Sequence, residues 1–191
     1  RRADRERDAR VPHGALQPVD VLERGALLEE FAECLAPGLP SRIAARELEV
    51  VGHAFGWTRD QLRIPAMRQN EGPGNALMIT LRFADVAEVV TAFGEKGLSA
   101  ERVADTAVRE ARAYRSARGA LGAHLADQWM LPMALAVVHD GRQSSFTCTE
   151  LTEHARTNMA TIAAFLPVRF DADEEEGLHT VHARPLANVR S

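Results

Sequence analysis

HLADQWMLPMALA, residues 124–136, and SFTCTELTEHARTN, residues 145–158, decide how this chain is read. The first predicts a buried helix through Met133 and Leu135. The second predicts a short strand, Ser145 to Cys148, followed by a helix that runs through Phe165 and carries His154 close to its start. The apolar run Trp129 to Val138 is interrupted by Pro132 and has about half the length a membrane-spanning helix needs, so it is expected in a core. Further on, Val168 to Phe170 and His179 to Ala183 predict two strands. The acidic run Asp171 to Glu176 between them is expected as a solvated loop that could bind a cation only loosely.

Upstream, GALGAH, Gly119 to His124, breaks a helix and marks the natural boundary between two structural units. The helix before it opens with Ser99 as N-cap and Arg102 at the third helical position, where a full capping box would carry Glu or Gln. Val103, Ala107, Val108 and Ala111 form its apolar stripe. Strands are predicted at ALMITLRF (76–83) and Ala87 to Phe93, behind a turn at Glu71 to Asn75, with a short strand at Leu62 to Met67. Ser41 is the expected N-cap of a helix that places Ile43, Ala44, Leu48, Val51 and Phe55 at helical spacing and stops at Gly56. Val19 to Ala36 fits either a strand pair or a helix. The mixed element order predicts an α+β arrangement with helices on one face of a sheet. No fixed-period repeat is present.

Composition narrows the function classes. A formal charge of −4 over 191 residues gives no global attraction to nucleic acid, so any RNA contact must be local. Cys34 and Cys148 form neither a CxxC pair nor a Cys/His pattern with metal spacing, which points to a reducing compartment and a cytoplasmic location. The opening RRADRERDAR lacks an apolar stretch and is no secretory signal. Residues 1–15 read as a disordered arm or a cut edge, and the missing initiator Met suggests a piece of a longer chain.

His154 is the candidate with chemistry. Neutral imidazole is nucleophilic near pH 7, and a helix N-terminus attracts phosphate. Thr157 and Asn158 share its helix face and could orient the ring or touch a phosphate oxygen. Asp127 and Gln128 could hydrogen-bond a ribose, an adenine edge or a phosphate. Each residue also has a plain reading: a surface histidine, a solvated helical turn. Cys148 with His154 could form a thiol–base pair, although a lone small cysteine is more often buried filler. Gly72–Pro73–Gly74 lacks the lysine of a P-loop and opens no helix, so it reads as a turn. His179 and His182, three apart on a strand, would face opposite sides and share no metal.

The two opening segments, with IAAFLPVRF (162–170), resemble RNA 3'-terminal phosphate cyclases; weaker agreement runs through EGPGNALMITLRF, FGEKGLSAERVAD and PSRIAARELEVV. The resemblance implies a large domain of repeated βαβ-type units, related to enolpyruvyl transferases, with a smaller α/β domain inserted. On that pattern 16–118 is the inserted domain, 119–187 the last repeat and 188–191 a tail, and the repeats before them are missing. The implied activity is ATP-dependent conversion of an RNA 3'-phosphate end to a 2',3'-cyclic phosphate. His154 would be the nucleophile that takes AMP, with Asp127, Gln128 and His124 in the nucleotide pocket. His124 stands where relatives often have tyrosine. A divalent metal, Mg or Mn, is implied, with no ligand assignable in this chain. The same fold also occurs in a non-catalytic ribosome-assembly factor that binds RNA-processing partners and lacks the histidine. An enolpyruvyl-type transferase rests on fold analogy alone.

Overall fold

The computed structural model describes residues 14–66 and 72–186; the first residues of the expected N-terminal arm, Met67, Glu71 and the tail at 188–191 lie outside them. The fold is α+β, but its helices and strands form two units around two separate cores. In chain order the first unit comprises β1 (Leu27–Leu35), α1 (Ser41–Phe55), β2 (Leu62–Arg63), β3 (Ala76–Phe83), β4 (Ala87–Phe93) and α2 (Ala100–Ser116). The second comprises α3 (Ala123–Asp140), β5 (Ser144–Cys148), α4 (Glu153–Phe165), β6 (Val168–Glu175) and β7 (Leu178–Pro185).

The sheet of the first unit has the order β2-β1-β3-β4. Alternation decides its faces: Ala32, Cys34, Leu77, Ile79, Leu81, Val90 and Ala92 are buried with the apolar stripes of α1 and α2, while their neighbours in sequence are more exposed. Ser99 caps α2 as expected, its hydroxyl accepting the amide of Arg102. Ser41 does not cap α1. It is the first helical residue, Pro40 holds the N-cap position without a side-chain hydrogen bond, and Gly56 ends the helix in the left-handed region at φ 70°. The strand expected from Leu62 to Met67 is confined to Leu62–Arg63, whose short parallel pairing with Ala32 and Glu33 ends before Pro65. Val19 to Ala36, expected as a strand pair or a helix, contains one strand, β1, over Leu27–Leu35, preceded by an extended segment.

That extended segment belongs to the other sheet. Sequence reasoning assigned Val19 to Glu23 to the inserted unit, yet Val21 bridges Phe146 in parallel: its amide donates to the Ser145 carbonyl at 2.9 Å, and the Thr147 amide donates to the Val21 carbonyl at 3.0 Å. Leu121 repeats the pattern against Cys148, donating to the Thr147 carbonyl and accepting from the Thr149 amide. The incoming and outgoing segments of the first unit therefore lie in tandem along one edge of β5, as an edge strand interrupted by the whole of that unit. β7 takes the other edge, giving β5-β7-β6. From Leu121 through α3 to β5 the chain makes a parallel β–α–β connection.

Thr147 ties both segments with one hydroxyl. Its Oγ1 donates to the Leu22 carbonyl at 2.8 Å and accepts the Ala120 amide at 2.9 Å. Around it, Arg24 donates to the carbonyls of Gly119 (2.7 Å) and Ala117 (2.8 Å) and lies 3.8 Å from the centre of the Tyr114 ring. The Tyr114 hydroxyl donates to the Ala120 carbonyl at 2.7 Å. Gly119 passes so close to the backbone of Cys148 and Thr149 that a Cβ there would overlap it. From β4, the buried Glu88 accepts the amide of Gly122, the residue immediately before α3, at 2.8 Å.

The second unit departs from expectation in two places. The acidic segment is no loop: β6 extends through Glu175 and pairs with β7 along its length, and Asp171 is held by Arg169 and Arg184. Paired backbone and flanking arginines compensate for residues with poor strand preference. Within α3, Leu131 and Leu135 are exposed, whereas Met130, Met133, Ala134 and Val137 fill the core. A helix apolar on both sides has no periodic signal to say which side is covered.

Two measurements check this junction. Thr147→Val leaves the buried Ala120 amide and the partly buried Leu22 carbonyl each short of a partner and is expected to destabilise the chain by about 1–3 kcal/mol in urea denaturation; unchanged stability would show that the staple contributes nothing. Burial raises the Glu88 carboxyl above its ordinary range, with Glu110 adding to the shift, against the Gly122 amide, Arg24 and His124. Its folded form therefore binds a proton more tightly than the unfolded chain does, and stability from this group is lost as pH rises through the folded value. Glu88→Gln should become progressively more stabilising relative to wild type from pH 4 to pH 7. A difference independent of pH would contradict this.

Candidate functional site

His154 is the second residue of α4, and its ring is exposed at the helix start. Thr152 is the N-cap, its hydroxyl accepting the Ala155 amide at 3.1 Å. Amides of a first helical turn have no partner within their own helix, so a group beside His154 meets their positive end. Local side-chain charge is mixed: Glu153 lies 3.8 Å from Arg156, with exposed Glu150 before them.

Asp127 and Asn158 hold this surface together. Asn158 Nδ2 donates to Asp127 Oδ1 at 2.8 Å and to the Asp127 carbonyl at 3.0 Å, linking the second turn of α4 to α3. Asn158 lies four residues after His154 on the same helix face. With Thr157 it was a candidate to orient the ring or touch a phosphate oxygen; its amide is bonded to Asp127. The carboxylate expected to meet a nucleotide is thus also a structural tie between two helices, with Oδ2 left outside that bond. Thr157 is exposed beside His154.

Gln128 is exposed on α3, next to the tie. His124, in the first turn of α3, leans towards the other unit, its Nε2 lying 3.8 Å from Glu110 on α2. Its side chain is 83% exposed. Cys148 is fully buried, and burial pushes its thiol up to about 11, which removes it as a nucleophile partner for His154. His182 and His179 are engaged separately: His182 Nδ1 lies 2.8 Å from the Ser145 hydroxyl, and His179 lies 3.8 Å from Glu174. Among the described residues no group of three or more His, Cys, Asp or Glu side chains converges as a metal site requires, so these residues do not by themselves fit the implied divalent cation. Among them, too, no helix is long and apolar enough to cross a membrane.

The structure thus places an exposed imidazole at a helix start beside a carboxylate–amide tie between α3 and α4. Comparison with known proteins gives it a family. Residues 22–116 match the family described as the RNA 3'-terminal phosphate cyclase insert domain. A protein of Pseudomonas fluorescens named RNA 3'-terminal phosphate cyclase is 41% identical over 167 residues, covering 87% of this chain and 47% of that protein. A protein of the same name from Koribacter versatilis is 42% identical over 165 residues, 86% of this chain and 45% of its own length, and one from Salmonella typhimurium is 35% identical over 170 residues, 89% and 48%. The chain belongs to the RNA 3'-terminal phosphate cyclase family, and it spans about half the length of the curated relatives it matches.

The tie between α3 and α4 is measurable without substrate. Asp127→Ala, which removes the Oδ1 acceptor, is expected to cost about 1 kcal/mol in chemical denaturation, whereas Gln128→Ala, on an exposed turn, should change stability by less than about 0.5 kcal/mol. Equal effects of the two would contradict the structural role of Asp127.

Proposed function

We propose that this chain supplies the nucleotidyl-accepting part of an ATP-dependent RNA 3'-phosphate cyclase, with His154 as the residue that carries AMP. The observation that carries the reading is the exposed imidazole at the N-terminus of α4, on the helix face whose next turn is anchored by Asp127 and Asn158. The names of the relatives support the reaction class.

In the first step a ring nitrogen of His154 attacks the α-phosphorus of ATP. The N–P bond forms, the bond to the bridging oxygen breaks, and pyrophosphate leaves. In the second, an oxygen of the RNA 3'-phosphate attacks the same phosphorus and breaks the N–P bond, which returns the imidazole and leaves AMP joined to the RNA end. In the third, the neighbouring 2'-hydroxyl loses its proton and attacks the 3'-phosphorus, AMP departs, and a 2',3'-cyclic phosphate remains. The N-terminal amides of α4 favour the negative phosphate beside His154. Thr157 supplies a hydroxyl on the same face. Asp127 keeps Asn158 and the α4 surface in place, while Gln128 and His124 offer an amide and an imidazole to the nucleotide. A divalent cation would offset the triphosphate charge, and no ligand for it is assigned among the described residues.

Incubation of the full-length parent protein with α-labelled ATP is expected to label it covalently, and His154→Ala is expected to abolish the label. A mutant that labels as well as wild type would overturn the assignment of the nucleophile.

A further inference from the structure

We infer that Glu88, a buried carboxylate of the first unit, is a positioning residue for the nucleotidyl site of the second, so that the first unit sets the geometry in which His154 reacts. The inference rests on the reading of His154 given above.

The contacts form a continuous path. Glu88 lies on β4, is 5% exposed, and accepts the amide of Gly122 at 2.8 Å. Gly122 is the N-cap of α3, and a Cβ at that position would lie 2.5 Å from Glu88 Oε1. The carboxylate is thus seated against bare backbone at the start of the helix. Five residues further along α3, about one and a half turns on, stands Asp127, which holds Asn158 of α4, whose first turn carries His154. Displacement of the first turn of α3 therefore moves Asp127, and with it the support under His154.

A carboxylate is an expensive way to hold one amide. Glu88 lines a cavity of about 310 Å³ shared by the two units with Glu110, Tyr114, Thr149 and Glu150, so other acids surround it. Arg24, the cation at the junction, directs its donors to the carbonyls of Ala117 and Gly119. The Gly122 amide at the positive end of α3 favours a negative charge there, as do Arg24 and His124, against burial and the charge of Glu110. The same end of α3 carries His124, which leans towards Glu110 across the junction. The first unit thus fixes the start of the helix through Glu88 and reaches its exposed face through Glu110.

The test uses the full-length parent protein and reads the single-turnover rate of covalent labelling by α-labelled ATP, at saturating ATP and as a function of ATP concentration. Glu88→Ala and Glu88→Asp, which remove or shorten the acceptor, are expected to lower the saturated rate at least tenfold. Glu88→Gln, which keeps an oxygen within reach of Gly122, should stay within about threefold of wild type. Val51→Ala, a cavity variant in the core of the first unit, serves as a matched loss of stability and should leave the rate unchanged. Glu88→Asp at the wild-type rate overturns the inference, and so does a loss that Val51→Ala reproduces. The two readings fail separately: absence of label in wild type, or label retained in His154→Ala, removes the nucleophile assignment, whereas normal labelling in the Glu88 variants removes only this one.

Discussion

The hydroxyl of Thr147 sits where the two units of the chain are sewn together. β5 offers one free edge, and that edge is filled by two segments a hundred residues apart, around Val21 and around Leu121, with Thr147 bonded to the backbone of both. An edge strand interrupted in this way lets a unit of independent core be spliced into a sheet while the sheet keeps its pairing. The geometry also fixes where α3 begins, immediately after Leu121. Everything that the second unit presents to a ligand follows from that point.

Because both connections cross at one place, the units are coupled by short, buried contacts. Arg24 stacks on Tyr114 and satisfies two carbonyls, Tyr114 satisfies a third, and Glu88 takes the amide before α3. Buried backbone groups at such a crossing need partners, and side chains of the inserted unit supply them. From α3 the ordering passes to α4 through one carboxylate–amide pair, Asp127 with Asn158. His154 is left uncovered at the end of this path, exposed as a side chain but carried by a helix held at its base. Such an arrangement suits a group that must accept and release a nucleotidyl unit.

Most local features were legible in the amino-acid sequence, the cap of α1 excepted, and non-local ones were not. β4 begins and ends where its alternation predicts, Ser99 caps α2, and His154 falls in the first turn of a helix, because each depends on neighbours a few residues away. Val19 to Glu23 could not be placed by the same means, since its partners lie 125 residues downstream. The extension of β6 through Asp171 to Glu175 was hidden because pairing with β7 and the charges of Arg169 and Arg184 outweigh residue preference. At the site, Asn158 was recognisable as a neighbour of His154, but its bond to Asp127 joins two helices and leaves no local trace. Glu88 was invisible as a functional residue: it stands at an inward position of a strand, and only the fold brings it to Gly122.

The proposed reaction turns on one nitrogen–phosphorus bond. Reacting the full-length protein with ATP, digesting it under mildly alkaline conditions that preserve phosphoramidates, and locating the adenylyl group by mass spectrometry tests this directly. AMP on the peptide containing His154 is the predicted result; AMP on a lysine, or on a histidine outside α4, would contradict it.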